Sequence, residues 1–98
     1  MKFILGFTKT AEEDLKRLKK GNALRKQYKA VTKALELLQQ NPKHPSLQTH
    51  LYRSLKGPNG EKVFEAYAEQ QTPSAYRIFF YYGPSKGKII ISSIVPHP

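Results

Sequence analysis

A chain of 98 residues, 39% hydrophobic and 24% charged, has room for one core. It buries roughly 60 to 65% of its unfolded surface on folding, and this composition excludes a disordered or membrane-embedded polypeptide. The formal charge of +10 points to a polyanion or an acidic protein as partner. The absence of cysteine excludes disulfides and thiolate metal sites.

The first apolar run, Phe3-Ile4-Leu5-Gly6-Phe7, stops at Thr8-Lys9 and is too short for a signal-peptide core or a membrane span. A strand over residues 2–7 and a cytoplasmic location are expected. Thr10-Ala11-Glu12-Glu13 reads as a capping box, with Thr10 as the cap of a first helix. Ala11, Leu15 and Leu18 fall on one face of that helix, and Gly21 is placed to close it in the left-handed region. Asn22 reads as the cap of a second helix. Leu24, Tyr28, Val31, Leu35 and Leu38 form its apolar seam, which Asn41-Pro42 ends. The short link predicts an antiparallel helical hairpin.

Residues 1–35 carry ten lysines and arginines against three acids, so most of the positive field comes from the first third of the chain. Such a field speeds encounter with a polyanion and makes binding depend on salt. A solvated helix face is the plainer alternative. The periodicity is lost between residues 42 and 59, where Leu47, Leu51 and Leu55 suggest a packed connector of undefined backbone. Gly57-Pro58-Asn59-Gly60 is a turn signal. Three strand-like runs follow, at residues 62–69, 74–82 and 88–95, separated by Gln70-Gln71-Thr72-Pro73 and Gly83-Pro84-Ser85-Lys86-Gly87.

The expected fold is therefore a single α+β domain over residues 1–98. It has an N-terminal strand, a two-helix hairpin and a three-stranded antiparallel meander, with the helices on one face of the sheet and the other face open to a ligand. Which face of each strand points at the helices is left open, because both carry large apolar groups.

The strand Ala75-Tyr76-Arg77-Ile78-Phe79-Phe80-Tyr81-Tyr82 sets one arginine among aromatic residues. Arginine is costly to bury without an anionic partner, and aromatic strand faces can stack bases. Two readings stand at Arg77: contact with an RNA, or a structural ion pair with Glu65 or Glu69 across adjacent strands. Tyr81 shares the Arg77 face and is a candidate to stack a base, with core packing as the default. Lys43-His44-Pro45 and Thr49-His50 bring histidines that could meet RNA or supply a proton. No His-x-x-x-His pair or phosphate-binding glycine loop is present.

The basic hairpin, the Tyr76-Arg77-Ile78-Phe79-Phe80-Tyr81 strand and the terminal Ile94-Val95-Pro96-His97 resemble the RelE/ParE superfamily of toxins from bacterial type II toxin–antitoxin systems. The resemblance spans nearly the whole chain. At the site residues it is closer to the HigB- and YoeB-like branches, since the strand after the turn carries Lys62 followed by glutamates, not the lysine pair of RelE-like members. It implies a metal-independent endoribonuclease that cleaves mRNA on the ribosome and is silenced by a cognate antitoxin, with no cofactor. Arg77 matches the arginine that holds the scissile phosphate. His97 stands where members end in a basic residue and would protonate the leaving 5′-oxygen, while Glu65 would act as general base or orient Arg77. RNA contacts are expected from Lys16, Lys20, Lys26, Lys62, Tyr81 and His50. Two alternatives remain: a ParE-type inhibitor of DNA gyrase without nuclease chemistry, and a non-catalytic module that binds RNA or antitoxin.

Overall fold

The structure, a computed structural model, describes residues 2–69 and 74–97. Five strands and two helices follow in the order β1 (Ile4–Phe7), α1 (Lys9–Lys20), α2 (Arg25–Gln40), β2 (His50–Lys56), β3 (Lys62–Tyr67), β4 (Tyr76–Tyr82) and β5 (Lys88–Pro96). The strands form one mixed sheet in the order β1-β5-β4-β3-β2. β1 runs parallel to β5, and every other pairing is antiparallel. No helix among the described residues is long and apolar enough to cross a membrane.

The expected α+β fold is found with one more strand than the sequence announces. β2 lies in the stretch read as a packed connector. It is an edge strand, its last four residues are exposed, and its pairing with β3 shifts register between Leu51 and Lys56. A solvated, bulged edge has no inward face to alternate, so it leaves no period-two signature. Gly57-Pro58-Asn59-Gly60 is the turn joining β2 to β3, closed by the Gly60 N–H on the Gly57 carbonyl at 3.0 Å. Gly60 takes the left-handed φ of 81° there, a conformation that costs glycine nothing.

The helix caps differ from expectation. Thr8, not Thr10, caps α1: its Oγ1 accepts from the Ala11 N–H at 3.1 Å and donates to the Ser92 carbonyl at 2.9 Å. The tie to β5 fixes the helix start two residues earlier than the local pattern does. Gly21 is extended, at φ −78° and ψ 110°, and its N–H bonds to the Arg17 carbonyl. Asn22 opens a short 3-10 turn, Asn22–Leu24, and α2 begins after it without a side-chain cap. β3 ends at Tyr67 and β4 begins at Tyr76, each shorter than the runs read from sequence. The 70–73 loop lies outside the described residues.

The face question is resolved by the core. Ala11 and Leu18 of α1 and Val31, Ala34, Leu35 and Leu38 of α2 pack on Ala66, Ile78, Phe80, Ile89, Ile91 and Ile94. Both helices therefore cover one face. Val63, Phe79 and Tyr81 cluster on the other, with Tyr52, Ile90 and Val95 against them. β5 reaches the core at 89, 91 and 94 because a bulge interrupts it: Phe79 faces Ser93, Phe80 faces Ile91, and Ser92 is the extra residue.

Asp14 of α1, 8% exposed, reaches into this region. Its Oδ2 accepts from the Ile94 N–H at 2.9 Å, and its Oδ1 accepts from Arg17 at 3.2 Å. Asp14→Ala should destabilise the fold by about 1–3 kcal/mol, because a buried N–H loses its acceptor. Asp14→Asn should cost less, since an amide oxygen can still accept. Urea unfolding checks both, as a lower midpoint with an unchanged slope.

Candidate active site

The helix-free face carries a cluster built from strand register. His50 of β2 stands directly opposite Glu65 of β3, and Tyr67 of β3 stands opposite Arg77 of β4. Alternation then sends Glu65, Tyr67, Arg77 and Phe79 to the same side, away from the helices. Glu65 is only 2% exposed. Its Oε2 accepts from Arg77 Nη1 at 2.7 Å and its Oε1 lies 2.7 Å from His50 Nε2, so the buried carboxylate has a basic group on each oxygen.

Tyr67 is the third donor to this carboxylate. Burial foremost, then the Glu65 charge and the hydrogen bond to it, push the Tyr67 hydroxyl above its ordinary value, against an opposite pull from Arg77. The phenol therefore keeps its proton at neutral pH. Both Glu65 oxygens are thus engaged, one by Arg77 and one by His50.

The Arg77 guanidinium lies 4.9 Å from the centre of the Phe79 ring and 5.9 Å from that of Tyr52, and Tyr52 meets Phe79 edge to face. The aromatic rings hold the cation by its faces and Glu65 holds it by one edge. Nε is buried and has no hydrogen-bond partner among the described residues. A buried guanidinium donor without an acceptor is uncommon.

His97 joins from the far end of β5. Strand-like pairing runs past Pro96, with the His97 N–H donating to the Ala75 carbonyl at 2.7 Å and its own carbonyl accepting from Ser74 at 3.3 Å. The His97 ring centre lies 6.4 Å from that of Tyr67, which is 5.8 Å from that of His50. Tyr67 thus stands between the two histidines. Arg77, Glu65, His50 and His97 are brought to one place.

The other expected contacts are not gathered with them. Lys16 and Lys20 of α1 and Lys26 of α2 are exposed in the helix layer, with the sheet between them and Arg77. Lys62 is exposed on the strand face it shares with Phe64 and Ala66, the side the helices cover. Tyr81 is 7% exposed and packs with Val63 and Phe79, so core packing takes it and no base can stack there. His44 receives the Ser46 N–H on Nδ1 at 3.1 Å and caps a short turn. Among the described residues no three His, Asp or Glu side chains gather as metal ligands.

Tyr52, Tyr67 and Phe79 were not singled out by sequence. Phe79 carried a signal in its place two residues from Arg77 on one strand, where side chains share a face. Tyr67 carried a similar one beside Glu65.

Comparison with known proteins rests on structure alone. No protein-family model matches the sequence, and a search of curated proteins finds no match. Among solved structures, the chain is similar to RelE in an archaeal RelE–RelB complex from Pyrococcus horikoshii, at 16% identity and a TM-score of 0.65, over 98% of this chain and 96% of that one. A YoeB/ParE toxin from Agrobacterium tumefaciens matches at 12% identity and a TM-score of 0.69, over 97% and 99% of the two chains. The YoeB dimer of Staphylococcus aureus matches at 16% identity and 0.63, over the full length of both. At these identities what is shared is architecture, and it extends from end to end: the chain has the RelE/ParE toxin fold.

Proposed function

We propose that this protein is the toxin of a toxin–antitoxin pair and acts in the cytoplasm as a metal-independent endoribonuclease on mRNA, cutting on the ribosome. The observation that carries this reading is the Arg77 guanidinium, braced by Glu65 and aromatic rings on the helix-free face, with 15% of its side chain left exposed. That exposed part can receive a phosphodiester oxygen. Its pre-organised donors favour the charge that builds on phosphorus as a ribose 2′-OH attacks.

In that reaction the 2′-oxygen bonds to phosphorus, its proton passes to water, and the bond to the 5′-oxygen breaks. His97 gives the leaving oxygen its proton, and the products are a 2′,3′-cyclic phosphate and a 5′-hydroxyl. Glu65 holds Arg77 in place throughout. The partner is an antitoxin, by analogy with the RelE–RelB complexes among the similar structures.

The test is cleavage of a defined mRNA by purified protein in EDTA, with and without ribosomes. Cuts that survive EDTA are expected. No cleavage under either condition, with DNA gyrase inhibited instead, would overturn the nuclease reading in favour of the ParE-type one.

A further inference from the structure

The His50 ring is held at both nitrogens. Nε2 lies 2.7 Å from Glu65 Oε1, and Nδ1 lies 2.9 Å from the Gln48 carbonyl oxygen. A carbonyl oxygen only accepts, and so does an ionised carboxylate. Only a ring carrying a proton on each nitrogen can donate to both. A neutral ring would make one of these bonds and turn a lone pair toward the other oxygen.

This has an electrostatic consequence for Arg77. With His50 doubly protonated, the one negative charge of Glu65 is shared between two cations, and the triad carries a surplus of one positive charge. When the ring loses a proton, Glu65 neutralises Arg77 alone and the surplus disappears. The change occurs on a ring whose side chain is 46% exposed, but it acts through a Glu65 side chain 3% exposed on an Arg77 side chain 15% exposed. There a unit of charge counts for more than at the open surface.

We propose that His50 is a positioning residue of the Arg77 site, acting through Glu65, and that anion binding at Arg77 is coupled to the protonation of His50. The inference rests on the reading of Arg77 as a phosphate clamp. Its sign is fixed: anion affinity is highest where the ring is doubly protonated and falls where the ring gives up a proton.

The charged and titratable groups around His50 are Glu65 and Tyr67 of β3 and Arg77 of β4. Lys43 and His44 line a groove of about 980 Å³ with His50 beside β2. His44 and His97, the latter beyond Tyr67, are the other imidazoles. They are the controls.

The experiment measures binding of a non-cleavable 2′-O-methyl RNA trinucleotide by NMR at about pH 5.5 and about pH 8. The unsubstituted protein should bind on the order of 10-fold more tightly at the lower pH. His50→Gln keeps an amide donor for Glu65 without the titrating charge, and its binding should be weak and nearly flat with pH. His44→Gln should retain the pH dependence. A dependence that survives His50→Gln, or that vanishes only in His97→Gln, would overturn the proposal.

The Arg77 Nε–H resonance separates this idea from the clamp itself. Followed without RNA, it should move with pH in the unsubstituted protein and not in His50→Gln. If it moves as stated but RNA binds Arg77→Ala unchanged, the clamp reading fails while the coupling stands. If it does not move, the coupling fails.

Discussion

Arg77→Ala should lower mRNA cleavage by roughly 10²- to 10³-fold or more, the loss seen when one pre-organised donor to a developing oxyanion is removed. Arg77 combines a permanent charge with several donors on one rigid plane, and one edge of that plane is already fixed on Glu65 at 2.7 Å. Arg77→Lys keeps the charge but lacks the fork and the flat face that Phe79 and Tyr52 cover, so it should recover little. The fold should survive, because His50 still lies 2.7 Å from the Glu65 carboxylate in either variant. Single-turnover cleavage of a defined message, beside thermal unfolding of each variant, checks both statements. Full cleavage by a folded Arg77→Ala protein would remove Arg77 from the mechanism.

The parts of this site differ in how far sequence could reach them. Arg77 and Glu65 lie on neighbouring strands and were named as a possible cross-strand pair, but it is the register, Glu65 opposite Phe79 and Tyr67 opposite Arg77, that sets both on one face. His50 could not be placed beside them from sequence. Counting from the turn, where Lys56 faces Lys62, an undisturbed hairpin would set Arg53 opposite Glu65. The irregularity in β2 shifts the pairing so that His50 stands there instead. An arginine at that place would be a permanent cation; a histidine is one that can lose its charge. The same limit applied to β5, where the extra residue Ser92 decides which isoleucines face the helices. Bulges are set by tertiary contacts such as Thr8 on Ser92, and no local pattern announces them.

The helices were legible, because their apolar seams have a period that burial enforces. Their lysines were the less informative part. They stand in the helix layer, with the sheet between them and Arg77, and salt screens exposed charges beyond a Debye length of about 8 Å at physiological ionic strength. At that remove Lys16, Lys20 and Lys26 add to a field that steers a polyanion toward the protein, and they touch nothing bound at Arg77. Charge-reversing them should therefore slow association and flatten its salt dependence more than it alters the chemical step.

Glu65→Ala should be the most damaging single change to stability. It strips the counter-charge from the mostly buried Arg77 and from His50, whose side chain is 46% exposed, and leaves a void under both. Removing one member of a buried ion pair costs about 3–5 kcal/mol. The exposure of His50 places this case near the lower end, which for a domain of this size is a fall in Tm on the order of 15 °C. If the ion pair exists to organise a site, replacing both partners by apolar side chains should be tolerated better than removing one. Glu65→Leu with Arg77→Met should then unfold at a higher temperature than Glu65→Leu alone, yet cleave nothing. A double variant no more stable than Glu65→Leu would mean that Glu65 holds the sheet by means other than its charge, with His50 and Tyr67 as the partners that matter. That outcome would move the weight of the site from β4 to the β2–β3 pair, and with it the place where a phosphate is best sought.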